Sequence, residues 1–266
     1  MILVCAFVAG YAFVEARQAS TQPITTQSAT KPLTPSLPPV LDAAARAGGA
    51  GRPDAVSVNR EAQTTSLSAP GDSCDDLKVL VDRAHTLPPD YAPDDLVTLS
   101  EYKVPTLGSA EMLLRREAAG HLRRLVKAAG ADGEEVVIAS AYRSYAYQQT
   151  SYARLRSIYG RDAGEMSARP GHSQHQLGTA VDFTNAAASF EIWDYFGETS
   201  AYWWLRDHAR EYGFVLAYPR SKEGETGYQW EPWHYRYVGA RNVERLEESG
   251  LSLQEFLVRE NVRPRC

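Results

Sequence analysis

No basic stripe stands out along the 266 residues, and the net charge is −5. That balance argues against a nucleic-acid partner, whose phosphates call for clustered Lys and Arg. The apolar run at the start, Met1 to Val14, ends at Glu15, Ala16 and Arg17, short of the ~20 residues that a spanning helix needs. It suits the apolar core of a secretory signal, with Val14-Glu15-Ala16 as a small-residue cleavage site, although the positive segment that usually precedes such a core is missing. Export is therefore expected, with residues 1–17 as signal peptide or membrane anchor. Cys5 does not make a lipoprotein signal, because Val4 stands where a small residue is usual. One serine-enzyme motif, Ser28-Ala29-Thr30-Lys31, occurs without the S-D-N and K-T-G segments that would have to accompany it, so serine penicillin-binding chemistry is set aside.

What is present begins with a linker. Residues 18–73 are rich in Ser, Thr, Ala, Gln and Pro, with Pro32, Pro35, Pro38 and Pro39 close together. Such a segment buries too little apolar surface to offset its ordering entropy, and is expected to be a flexible tether. A single folded domain is expected over 74–266, where the 44% apolar content of the chain is enough for a core. Asp75 to Ala84 reads as a short amphipathic helix. Ser109 is a candidate cap for a longer helix carrying Leu114, Ala118, Leu122, Leu125 and Ala129 at helical spacing. Val136 to Ala139 reads as a buried strand, Tyr145 to Tyr159 as a helix stopped by Gly160, and Ser200 to Tyr212 as a helix closed by Gly213. A strand over Phe214 to Ala217, a polar loop over Tyr218 to Tyr228 that should be mobile, a strand over Glu231 to Val238 and helices over 240–248 and 252–258 complete the pattern. His121, with Arg123 and Arg124 beside it, has no ligand company and reads as a surface or half-buried histidine, and His208 reads as structural.

Two segments carry chemistry. In Arg169-Pro170-Gly171-His172-Ser173-Gln174-His175-Gln176-Leu177-Gly178-Thr179-Ala180-Val181-Asp182-Phe183-Thr184, alternation after Gly178 sends Val181 and Phe183 to one face of a strand and Asp182 to the other. His175 lies in the preceding turn, near enough to meet that carboxylate. Taken alone, such a His and Asp are more often a hydrogen-bonded surface pair than half of a metal site. The second segment is Trp230-Glu231-Pro232-Trp233-His234-Tyr235-Arg236-Tyr237. Pro232 keeps the strand from starting earlier, so Glu231 sits on a bend while His234 shares a face with Arg236, and Trp233, Tyr235 and Tyr237 take the packed face. A catalytic zinc takes three protein ligands and keeps a place for water, with a free carboxylate nearby. His175, Asp182 and His234 supply the three, and Glu231 the fourth group. His172 is an outside candidate ligand.

Ser140-Ala141-Tyr142-Arg143-Ser144, the Arg169-to-Asp182 segment and Glu231-Pro232-Trp233-His234 together resemble the three signatures of the zinc D-alanyl-D-alanine carboxypeptidases of the VanY and LdcB type, relatives of the VanX dipeptidases and the hedgehog fold. The likeness runs from about residue 77 to about 257. It implies an α+β domain, a small antiparallel sheet flanked by helices, holding one zinc ion. It further implies Glu231 and Arg143 as catalytic, and Gln148, Arg169 and Ser173 as substrate contacts. The implied reaction removes C-terminal D-alanine from peptidoglycan stem peptides, outside the cytoplasm, by a monomer. Cleavage of an L,D bond or within the stem, and a non-catalytic zinc module that binds the wall, are the alternatives. Relatives generally carry Glu where Gln174 stands. Cys74 and Cys266 bracket the domain, and in an exported protein they are candidates for a disulfide.

Overall fold

A computed structural model of the chain describes residues 73–266. The expected leader, the Ser28 to Lys31 motif and all of the linker except Ser73 lie outside the described residues. Within them no helix is long and apolar enough to cross a membrane.

Two short strands come first, β1 (Leu96–Thr98) and β2 (Leu113–Arg115), followed by helix α1 (Arg116–Ala131), strand β3 (Val137–Ser140) and helices α2 (Tyr145–Tyr159) and α3 (Ala163–Met166). Then come β4 (Ala180–Thr184), α4 (Ser200–His208), β5 (Phe214–Leu216), α5 (Glu223–Thr226), β6 (His234–Tyr237), α6 (Ala240–Ser249) and α7 (Leu253–Glu260). β1 and β2 form an antiparallel pair, and the main sheet runs β3-β4-β6-β5, antiparallel throughout. This is the α+β arrangement that the sequence led us to expect.

Alternation decides which residues face where. Val181 and Phe183 of β4 and Tyr235 and Tyr237 of β6 enter one apolar core with Leu122 and Leu125 of α1 and Phe214 of β5. Truncating Phe183, which is fully buried, removes a packed ring of the kind whose loss costs about 3–5 kcal/mol. The opposite face carries Asp182, His234 and Arg236. Arg236 is fully buried, and its guanidinium donates to the carbonyls of Leu77 and Val79, fastening the start of the domain across the sheet. Cys74 and Cys266 are joined, closing the domain end to end.

Four local expectations change. Asp75 to Ala84 forms turns and not a helix, because its acids bind nearby backbone: Asp76 accepts from Lys78 N–H, and Asp82 from the N–H groups of Ala84 and His85. The long helix starts at Arg116 and not after Ser109, since residues 113–115 pair with β1 and bury Leu114 from a strand. The last strand begins at His234, with Glu231 to Trp233 in the bend before it. The segment 218–228 is tied down: Tyr218 and Tyr228 are buried, and Lys222 pairs with Glu225 and Glu255. The helix over 145–159 matches its expected bounds, capped by the Ser144 hydroxyl and ended at Gly160.

Candidate active site

Register assembles the site. In the β4–β6 ladder Asp182 lies directly opposite His234, so strand pairing alone holds two side chains fifty-two positions apart in contact. The third arrives from a short helical turn, Gln174–Leu177, capped by the Ser173 hydroxyl. Gly178 makes the next step possible: it adopts φ 65°, and a Cβ there would press on Leu96 and Arg115. The turn is fixed to the end of β3 by Arg143 N–H donating to His175 O and by His175 Nδ1, 2.6 Å from Ala141 O.

His175, Asp182 and His234 are all buried and offer ligand atoms within 4.8 Å of one another. His175 Nε2 lies 3.2 Å from Asp182 Oδ2, His234 Nδ1 lies 2.9 Å from Asp182 Oδ1, and the imidazoles meet edge to face at 4.9 Å. The fit to a divalent cation is good. His175 Nε2 is buried without a hydrogen-bond partner, despite its 3.2 Å approach to Asp182, and its other nitrogen is engaged by a carbonyl. Two imidazoles and one carboxylate are the donor types zinc takes in open catalytic sites.

Electrostatics prepare these groups. Burial, with the neighbouring Arg143 charge, pushes His175 down to about 4, so at neutral pH it is the uncharged imidazole a metal requires. Burial opposes ionisation of Asp182, yet the two histidines outweigh it and hold the carboxyl well below its usual range. Glu231 behaves oppositely: burial, then the Asp182 charge, pushes it up to about 8 against the pull of Arg143. Its side chain keeps 17% exposure, and Oε2 stands 3.8 Å from His234 Nδ1. It is thus close to the cluster without being part of it.

The remaining candidates differ. Arg143 is half-buried, with an Nε that is buried and unpartnered, and its charge acts on both His175 and Glu231. Gln148 is buried; its amide N–H binds Ser167 and Ala168, while Oε1 has no partner. Arg169 is exposed and donates to Arg83 O, and Ser173 is buried as the cap described above. His172 does not join the cluster: its Nδ1 lies 2.7 Å from Asp82 O. His121 and His208 bond backbone carbonyls, as structural histidines do. Two contacts escaped the sequence reading. Tyr218 stacks on the His234 ring at 4.9 Å, from a segment that read only as polar loop, and Gln174 Oε1 lies 3.2 Å from His234 Nε2.

A buried His-Asp-His cluster on an antiparallel sheet, with a raised carboxyl beside it, defines the class of mononuclear metal hydrolases. Comparison with known proteins narrows this. The VanY family, described as D-alanyl-D-alanine carboxypeptidase, matches residues 111–240. The Bacillus subtilis protein YodJ, named as a candidate carboxypeptidase, is 36% identical over 188 residues, covering 68% of this chain and 67% of YodJ. A D-alanyl-D-alanine carboxypeptidase of Enterococcus faecalis is 31% identical over 213 residues, 76% of this chain and 74% of that protein. Among solved structures, the LdcB LD-carboxypeptidase superposes with TM-score 0.65 at 35% identity, covering 72% of this chain and 89% of its own. A mutant of the vancomycin-resistance D,D-pentapeptidase VanY, in complex with Zn(II), gives TM-score 0.55 at 31% identity, 68% of this chain and 98% of that one. The chain belongs to the VanY family of D-alanyl-D-alanine carboxypeptidases.

Proposed function

We propose that this protein is a zinc-dependent carboxypeptidase that removes the C-terminal D-alanine from peptidoglycan stem peptides. The convergence of His175, Asp182 and His234, with Glu231 3.8 Å from the His234 imidazole, carries the reading. Zinc held by these three residues supplies Lewis acidity, acidifying water and polarising the scissile carbonyl.

The chain's own groups do the rest. Glu231, with a pKa lifted into the neutral range by burial and Asp182, takes the proton from the attacking water and returns it to the leaving amine. Arg143, with its buried and unpartnered Nε, holds the substrate carboxylate or the oxyanion that forms at the carbonyl carbon. Gln148 offers its unpartnered Oε1 to substrate N–H, the exposed Arg169 offers its guanidinium to the same substrate, and Ser173 holds the turn that presents His175. The enzyme works as a monomer outside the cytoplasm, on the wall side of a tether. The Cys74–Cys266 bond supports that location, since such bonds persist in oxidising compartments.

A second reading has its own support: the superposition on the LdcB LD-carboxypeptidase, TM-score 0.65, exceeds that on VanY, 0.55. Incubation with defined pentapeptide and tetrapeptide stems, followed by mass analysis, separates the two. Loss of one D-alanine from the pentapeptide alone supports D,D cleavage, and loss from the tetrapeptide supports L,D cleavage. Turnover of both stems undiminished by a zinc chelator contradicts the zinc reading.

A further inference from the structure

His234 has two ring nitrogens facing two different partners. Nδ1 points at Asp182 Oδ1, 2.9 Å away, where the atoms of the cluster converge; Nε2 points away from it, 3.2 Å from Gln174 Oε1. A neutral imidazole carries one proton, and only the nitrogen without it can bind a metal. The two neighbours therefore compete. If the proton lies on Nδ1, Asp182 accepts it and the free lone pair is on the wrong nitrogen. If it lies on Nε2, the lone pair faces the cluster.

His175 solves the same problem with backbone, because its Nδ1 faces the carbonyl of Ala141 at 2.6 Å, and a carbonyl can only accept. For His234 the corresponding acceptor is a side chain. Gln174 is buried, with 3% exposure, and belongs to the same turn as His175. We propose that Gln174 is the positioning residue of the second metal-binding imidazole: its carbonyl oxygen holds the proton of His234 on Nε2 and so leaves Nδ1 free for the cation. The proposal rests on the zinc site put forward above. It also means that one turn, 174–177, supplies one metal ligand and sets the tautomer of the other. Outer partners of this kind typically change metal affinity by ~10–100-fold when removed.

The test reads the tautomer and zinc affinity, not turnover. Nitrogen-15 NMR of the zinc-loaded protein, with the His234 signals assigned by His234→Gln, should show Nε2 protonated and hydrogen-bonded, and Nδ1 without a proton. In Gln174→Met, of similar volume but without an acceptor, the Nε2–H signal should lose its hydrogen-bonded shift, and competition with a chromophoric chelator should show zinc bound ~10–100-fold more weakly. Gln174→Glu keeps an acceptor and should restore both. A zinc-loaded wild type whose His234 Nε2 carries no proton overturns the proposal even should the Met variant fail to fold. An unchanged Nε2–H signal and unchanged zinc affinity in folded Gln174→Met overturn it as well. A wild type that binds no zinc sinks the functional reading, whereas zinc bound equally by wild type and Gln174→Met sinks this one alone.

Discussion

Replacing Glu231 by Gln is the most informative perturbation, because the structure separates its chemistry from its fold. The residue is anchored by its backbone: its N–H donates to Tyr218 O, and its carbonyl accepts from His234 N–H, each at 3.1 Å. Neither bond involves the side chain. The carboxylate is 3.8 Å from His234 Nδ1, too far for a hydrogen bond, so its replacement leaves the His-Asp-His cluster intact. Burial and the Asp182 charge push this acid up to about 8, so the folded protein favours its uncharged form, which a neutral amide mimics, and the replacement should not lower stability. What disappears is proton transfer, a contribution of typically ~10²–10⁴ in rate, or about 3–5 kcal/mol of barrier. Steady-state release of D-alanine from a pentapeptide stem should fall by that factor in kcat/KM. Zinc content and melting temperature, measured on the same preparation, should match the wild type. Activity within about threefold of wild type refutes the assignment. Loss of zinc along with activity refutes the separation of base from ligands.

Two further predictions concern the frame around the site. Cys74→Ser opens a covalent loop of 192 positions; the chain-entropy treatment puts its loss at up to about 5 kcal/mol, and denaturant unfolding of the oxidised and variant proteins should show a clear drop, against which equal stabilities would count. Asp82 is held below its usual carboxylate range: burial works to raise it, but Ala84 N–H, the side chains of His85 and Gln254, and His85 N–H outweigh that. A depressed folded pKa stabilises the protein above the unfolded value of ~3.9 and is lost as pH falls through the folded one. Asp82→Asn should therefore melt lower than wild type at neutral pH, and the gap should close below about pH 4; a gap that widens toward acid contradicts the bonding pattern.

Much of the site could be read from the chain because it is carried by local devices. Alternation along Ala180–Thr184 and His234–Tyr237 separates the core residues Val181, Phe183, Tyr235 and Tyr237 from Asp182 and His234. Gly160 ends its helix at φ 60°, a backbone angle open to glycine. The failures occur where distant residues decide, or where a short acidic side chain bonds its own backbone instead of leaving it to a helix. Leu113 to Arg115 carries a helical pattern but becomes a strand because residues 96–98 are there to pair with it. Asp76 and Asp82 prefer bonds to their own turns over a helix. Tyr218, from the segment after β5, and Gln174, from the turn before β4, reach His234 from outside the sheet, and no periodicity announces either contact.

The proposed chemistry depends on one cation shared by three side chains, and anomalous diffraction at the zinc edge from crystals of the purified protein tests this most directly. One peak is expected, about 2.0–2.2 Å from each of His175 Nε2, His234 Nδ1 and an Asp182 carboxylate oxygen. A zinc-replete protein with no peak there, or with its only peak elsewhere, contradicts the account.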